Sequence, residues 1–348
     1  MKISSTQLVS DFAELILDTQ GENQTFDHSA SPESANANSL VFLQKSQDMP
    51  ERAAVLVTSE PVMSELLLSP KSHNMFLVSV ADLRVAQAKI KQRYDDYQAQ
   101  DLEWQAMHAS AVVHESSVLG KGCRIGPQVV IGADCSIGDN VTIRAGSIIE
   151  HGVSIGANTI INANVNIGYN THIGERVTVQ AGVVIGSEGY GFAPDNNNHY
   201  HRIPHTGNVV LEDDVHVGAN SCIDRGTYGA TRIARGVKID NLVHIAHNVS
   251  VGEDTLLTAQ TVIAGSSNIG KRVIASGQTG VLDHTNVADG AILVQRCGVS
   301  EDIPTAGMWA GTPAKPFKEY VRGLAVTKKV AKLEKQLKEL KAQLDQQT

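Results

Sequence analysis

The sequence predicts a mainly β protein: a left-handed parallel β-helix of hexapeptide repeats, preceded by a small α/β domain and followed by a helix. Three observations predict it. An aliphatic residue recurs every sixth position, small or β-branched residues sit two places before it, and the flanks lack this period. From Met107 the series runs Val113, Leu119, Ile125, Ile131, Ile137, Ile143, Ile149, Ile155, Ile161, Ile167, Ile173, Val179 and Ile185. It resumes at Leu211, Val217 and Ile223, and again from Ile233 through Val299, with Ala275 its weakest member.

A period of six fits neither an amphipathic helix, with spacings of three and four, nor a half-buried strand, with a spacing of two. It fits short strands joined by sharp corners, three of which close a triangular coil of eighteen residues. Position +1 after the aliphatic residue is often glycine, as at Gly126, Gly138 and Gly156, and is expected to supply a positive φ at the corner. Position +4, as at Val129, Cys135, Thr159 and Val165, lies two residues before the next aliphatic one, so both point inward.

Two insertions leave the repeat. Residues 187–208, rich in Gly, Asn and His, read as a long ordered loop, and DRGTYGATR (224–232) adds four residues to one turn. Residues 1–100 mix helical and strand patterns, with LVFLQ (40–44), AAVLV (53–57) and MFLVSV (75–80) as strands and RVAQAKIKQRYDDYQ as a helical linker. The repeat domain is expected over 101–308 and a helical extension over 309–348. In that tail Val326, Val330, Leu333, Leu337, Leu340 and Leu344 form a heptad seam. Lys328, Lys329, Lys332, Lys335, Lys338 and Lys341 line its other faces, as a solvated surface of a trimeric coiled coil or as a landing strip for an acidic partner.

Composition narrows the function. A net charge of -8 over 348 residues argues against wholesale nucleic-acid binding. Four scattered cysteines make neither a disulfide framework nor a CxxC metal clip, and no metal site is expected. The N-terminus lacks the build of a signal peptide and no apolar stretch is long enough for an integral membrane segment, so a cytoplasmic protein is expected.

The most informative segment for chemistry is KIDNLVHIAHNVSVG (238–252). His247 lies two residues after Ile245, at a corner. Eighteen residues on lies Gly265, and eighteen further Asp283, followed by His284. One edge thus reads His, Gly, Asp-His, with the two histidines two coil steps, ~10 Å, apart. The bare glycine leaves a notch and an open backbone N–H beside an imidazole, a side chain suited to act as a base. Those are the ingredients of amide formation from a thioester. Corner histidines are also common surface residues, so spacing alone leaves both readings of His247 open.

IDNLVHIAHNVSVG, GSEGYGFAPD (186–195) and CIDRGTYGATRI (222–233) resemble the motifs of the UDP-3-O-(3-hydroxyacyl)glucosamine N-acyltransferases of bacterial lipid A synthesis. The resemblance spans the whole repeat and the order of domains. It implies transfer of a 3-hydroxyacyl chain from acyl-carrier protein, carried as a phosphopantetheine thioester with no other cofactor, to the 2-amino group of a UDP-3-O-acyl-glucosamine. It implies His247 as general base, the Gly265 N–H as oxyanion donor and His284 as a secondary group. Asp240 and Asn241 match the motif as substrate-binding residues, but sit one hexapeptide earlier at another corner. They join the site only if neighbouring subunits meet, as in the family's homotrimer.

The sequence departs from the family in VFLQKSQDMP. Phe42 is kept as the aromatic that would stack on uracil, but Lys45, Ser46, Gln47 and Asp48 stand where an Asn-Pro-Lys-Tyr-like segment is usual. Gly298 falls where a bulky residue closes the acyl channel in relatives. It implies a longer acyl chain, or else simply fills a tight backbone position. Rival readings are an acetyl-coenzyme A-dependent acyltransferase of another amino sugar, a zinc hydratase using His199, His201, His205 and His216, and a non-catalytic scaffold.

Overall fold

The computed structural model describes residues 2–95 and 106–345. The chain divides into two compact units, Met1–Leu102 and Glu103–Thr348, so the expected boundary near residue 100 lies outside the described residues.

The first unit is built on the three strands expected from its apolar runs, Ser39–Leu43, Val55–Thr58 and Phe76–Val80, which pair in parallel. Ile16–Gln20 adds antiparallel to the last and His28–Ala30 parallel to the first, giving five strands. The central strands are buried on both faces, one against Leu8, Phe26 and Ile90, the other against Met63, Leu66 and Met75. That is why they read as continuous apolar runs instead of alternating ones. The helix Leu83–Tyr94 is capped by Asp82, whose carboxylate accepts from the Arg84 and Val85 N–H groups.

The second unit is the expected parallel β-helix. Along its three faces the short strands of the repeat pair in parallel, each with its neighbour one coil away. Ile125 aligns with Ile143, then Ile161, then Val179, and the same holds on the other two faces. Here the faces are named first, second and third from the strands Arg124–Ile125, Val130–Ile131 and Ser136–Ile137. The aliphatic column and the +4 residues together form one continuous core from Ile125 to Ile303. At roughly 1.5–3 kcal/mol per buried aliphatic side chain, this column dominates the energetics of the domain. Met107, the first of the series, is exposed, and Val113 and Leu119 are only partly covered, as expected where no earlier coil lies above them. Polar residues at +4 are satisfied across coils: the Thr255 hydroxyl donates to Gly270 O at 2.8 Å and accepts from the Val273 N–H at 3.0 Å.

Two expectations need correction. The corner residue in the left-handed region is at +3, not +1: Asn140 has φ 57° and Asn158 φ 59°, and asparagine tolerates that region. The +1 glycine answers instead to the spacing of the coils. A Cβ at Gly156 would lie 2.5 Å from the carbonyl carbon of Gly174 in the next coil. The 187–208 insertion is also more than a loop, since Phe192–Pro194 and Tyr200–Arg202 pair antiparallel as a hairpin.

The prism continues past residue 308, because Gly307–Ala310 pairs with Ala291–Leu293 before the helix Phe317–Asp345 begins. Within one chain Val326, Val330, Leu333 and Leu337 of the heptad seam are exposed. No helix of the described residues is long and apolar enough to cross a membrane.

Gly156→Ala is expected to destabilise the prism by about 1–3 kcal/mol through overpacking, whereas Asn158→Gly, at a left-handed corner, should change little. Denaturant unfolding of the two variants checks this, and equal losses would contradict the assignment of the two positions.

Candidate active site

The register places the predicted edge as expected. His244–Ile245 pairs with Val262–Ile263, which pairs with Gly280–Val281, so His247, Gly265 and Asp283 follow one another at the corner between the second and third faces. In the other direction Ile245 aligns with Ile223, and Ile223 with Ile185. Both insertions therefore leave from the same corner as His247, one and two coils earlier.

The His247 imidazole lies over Gly265. A Cβ on that glycine would stand 2.6 Å from His247 Nε2, so any other residue would drive the ring away. The Gly265 carbonyl accepts from the His284 N–H at 3.0 Å, and among the described residues no acceptor is paired with the Gly265 N–H. His284 itself is a left-handed corner residue, φ 55°, with its side chain exposed beside exposed Asp283. It contributes its backbone to the notch and its imidazole to the solvent-facing rim.

The other face of His247 is covered by the hairpin insertion. His205, only 3 % exposed, packs edge-on against it with ring centroids 5.0 Å apart. Its Nδ1 meets Ile203 O at 2.9 Å, so Nδ1 carries the hydrogen, and its buried Nε2 has no hydrogen-bond partner. Gly189 permits the approach, since a Cβ there would strike both His205 Nε2 and His247 Cβ. Glu188 anchors the hairpin by pairing with Arg202 and accepting from the His205 N–H at 3.0 Å; these partners hold its carboxyl below the usual range.

Beneath this corner lie two charged residues that the sequence reading did not single out. Arg225 is 2 % exposed, donates to the carbonyls of Gly186, Gly207 and Tyr169, and lies 3.4 Å over the Tyr169 ring. It thereby ties both insertions to the prism. Asp224, also buried, accepts from the Ser187 hydroxyl at 2.8 Å and faces His244 Nε2 at 3.6 Å. Burial pushes its carboxyl above the ordinary value, against the opposing pull of Ser187 and of the nearby His244, His247 and His205. A cavity of about 450 Å³ opens beside them, lined by Ile148, Tyr169, Ser187, Arg202, His205 and Arg225 among others.

The remaining predicted residues lie elsewhere. Asp240 and Asn241 follow Ile239 at the corner between the first and second faces. There the Asp240 carboxylate accepts from the Asn241 and Ala259 N–H groups, and Asn241 Oδ1 from the Ala219 N–H. Within one chain they bind neighbouring coils. Phe42 is half-buried and packs against the first unit's core. At Gly298, on the second face, a Cβ would lie 2.7 Å from Thr312 Cγ2. The chain's own Thr312 fills the space that the channel reading had left open, so the tight-fit reading accounts for this glycine. His199, His201, His205 and His216 do not converge. Among the described residues no group of three or more His, Cys, Asp or Glu could hold a metal ion.

An imidazole thus lies over a corner glycine on a hexapeptide β-helix, and the whole chain can be compared with known proteins. A family described as the GMPPB C-terminal domain matches residues 107–190, a range that ends before His247. A UDP-3-O-acylglucosamine N-acyltransferase of Methylococcus capsulatus is 45% identical over 330 residues, 94% of this chain and 92% of that protein. One from Wolinella succinogenes is 46% identical over 144 residues, 41% of this chain and 45% of that protein. Among solved structures, the UDP-N-acetylglucosamine O-acyltransferase of Moraxella catarrhalis is 27% identical with a TM-score of 0.47, over 60% of this chain and 72% of that chain. The chain belongs to the UDP-3-O-acylglucosamine N-acyltransferase family.

The buried Asp224 carboxyl gives a signed test. A carboxyl whose pKa is raised by folding favours the fold while it is protonated and disfavours it once pH rises through its folded value. Asp224→Asn should therefore be more stable than the wild type at about pH 8, with the advantage shrinking as pH falls through the carboxyl range. Melting temperatures across pH check it, and a difference that does not vary with pH would remove Asp224 from this role.

Proposed function

We propose that the chain transfers a 3-hydroxyacyl group from the phosphopantetheine thioester of acyl-carrier protein to the 2-amino group of a UDP-3-O-acyl-glucosamine, in the cytoplasm. The observation that carries this reading is the His247 Nε2 seated over Gly265, in a chain whose relatives bear the name of that acceptor. As the amine attacks the thioester carbonyl, His247 Nε2 takes its proton. The carbonyl oxygen becomes an oxyanion that the Gly265 N–H can meet. Collapse breaks the C–S bond, and the proton on His247 passes to the departing thiolate, so the imidazole returns neutral.

Asp240 and Asn241 enter this reading as substrate-binding residues supplied across a subunit boundary of a homotrimer. The exposed seam Val326, Val330, Leu333 and Leu337 supports association, since one chain leaves it uncovered. In the first unit, Phe42 is the stacking surface proposed for uracil, with its other side in the core. His284, on the rim, is a secondary group that touches the donor or acceptor. Lys329, Lys332, Lys335, Lys338 and Lys341 are all exposed and suit an acidic carrier.

His247→Ala is expected to lower turnover by roughly 10²–10⁴-fold while the protein stays folded. Gly265→Val should do comparable damage by displacing the ring. More than about a tenth of wild-type turnover in His247→Ala would sink the base assignment. A donor screen of acyl-carrier protein thioesters against acetyl-coenzyme A tests the reaction, with coenzyme A preference favouring the rival acyltransferase.

Removing residues 324–348 should raise KM for the carrier protein more than for the sugar nucleotide, and the carrier KM of the full chain should rise with salt. A loss confined to thermal stability or oligomeric state would make the tail a clamp and not a docking surface.

A further inference from the structure

A general base needs its lone pair on the nitrogen that faces the substrate, and a neutral imidazole carries its hydrogen on either nitrogen. In this protein a single amide decides between them. Asn248 Nδ2 donates to Tyr228 O at 2.7 Å, and a carbonyl oxygen takes only donors, so the amide has one orientation. Its Oδ1 then faces the other way, where it accepts from the Thr227 N–H at 2.9 Å and lies 3.2 Å from His247 Nδ1. The Asn248 N–H donates to Thr231 Oγ1 at 2.9 Å, which fixes the backbone as well. An amide oxygen has no hydrogen to give, so its contact with Nδ1 is a hydrogen bond only when Nδ1 is protonated. Thr227 Oγ1, 3.4 Å from the same nitrogen, can accept there too.

We propose that Asn248 is the positioning residue of this site: it holds His247 as the Nδ1–H tautomer and leaves the Nε2 lone pair over Gly265. The inference rests on His247 being the base and adds what sets that base. It also gives the four-residue insertion a task. Thr227 and Tyr228 belong to that insertion, and their backbone fixes the amide that in turn fixes the imidazole. The titratable groups around His247 are His205 on the hairpin, His244 on the strand before it, and Asp224. Because Asn248 is neutral, it orients the ring without adding a second carboxylate to that of Asp224.

Asn248 has φ 61°, a conformation that glycine and aspartate also adopt, so both replacements keep the corner. In full-length protein with ¹⁵N-labelled histidine, the His247 resonances, assigned by their loss in His247→Ala, should show a protonated Nδ1 and a bare Nε2 at about pH 8. Asn248→Gly should move His247 toward the Nε2–H tautomer and lower kcat by roughly tenfold to a hundredfold, a size typical of losing an outer partner. KM for both substrates should change little. Asn248→Asp gives up the bond to Tyr228 O, but either carboxylate oxygen can accept beside Nδ1 and it adds charge, so the Nδ1–H tautomer should persist even without the amide's fixed orientation. The acidic limb of the kcat/KM profile should then move up by roughly one pH unit, with activity recovered above it. A wild-type His247 protonated at Nε2 would overturn the proposal. So would an Asn248→Gly variant that keeps the Nδ1–H tautomer, or turns over within about twofold of the wild type. Failure of the base assignment itself is read separately, from turnover in His247→Ala.

Discussion

Every property of the second unit depends on stacking eighteen-residue coils in strict register. Backbone groups of each coil bond to the next, and the aliphatic column runs unbroken from Ile125 to Val299 beneath them. A slip of one residue would exchange inward for outward side chains along the whole face. Extra residues are therefore confined to corners and must return the chain to the same column. Ile185 and Ile223 lie 38 residues apart, and Ile223 and Ile245 lie 22 apart, yet each pair is aligned as neighbours. The two insertions thus add length without disturbing the core, and both emerge where His247 projects.

That placement explains how a repeat with no fixed chemistry acquires an asymmetric site. A bare prism corner offers side chains only along the edge, spaced by one coil. The insertions fold back over the edge and supply groups the repeat cannot: His205 against the imidazole, and the Thr227 and Tyr228 backbone that holds the repeat's own Asn248 beside it. Arg225 bridges the two insertions through three carbonyl oxygens and the Tyr169 ring. Glycine permits the close approaches around this corner, at Gly189 and Gly191 against His205 and at Gly265 beneath His247.

How much of this was legible in the sequence follows from the same register. Wherever the period of six holds, counting gives three-dimensional neighbours, so the stacking of His247, Gly265 and Asp283 could be read off the chain. So could the inward +4 residues and the three apolar strands of the first unit. Where the period breaks, counting fails. His205 reaches His247, and Thr227 and Tyr228 reach Asn248, through turns whose paths no periodicity encodes, and Asp224 and Arg225 lie in an insertion whose sequence does not show that they are buried. Aligning Ile185, Ile223 and Ile245 in one column would have shown that the insertions share the His247 corner. The +1 glycines read as positive-φ corners but serve the close spacing of coils, because sequence alone does not distinguish the two. Gly298 illustrates the same limit, since its partner Thr312 lies in the segment that folds back after the repeat ends.

The polar cluster under the site costs stability that the prism around it supplies. Asp224 is a carboxyl kept from water with one hydroxyl donor, and His205 buries a nitrogen without a partner. Each arrangement is unfavourable by itself. They persist because the coils above and below are fixed independently by the aliphatic column, so the corner cannot relax without breaking register. Rigid elements are also what a base requires, because its reach to the reacting proton tolerates little error. The buried groups and the catalytic geometry are therefore two consequences of one constraint. A corner that a repeat holds rigid can carry groups a flexible loop would expose to water, and here those groups pack around the His247 imidazole.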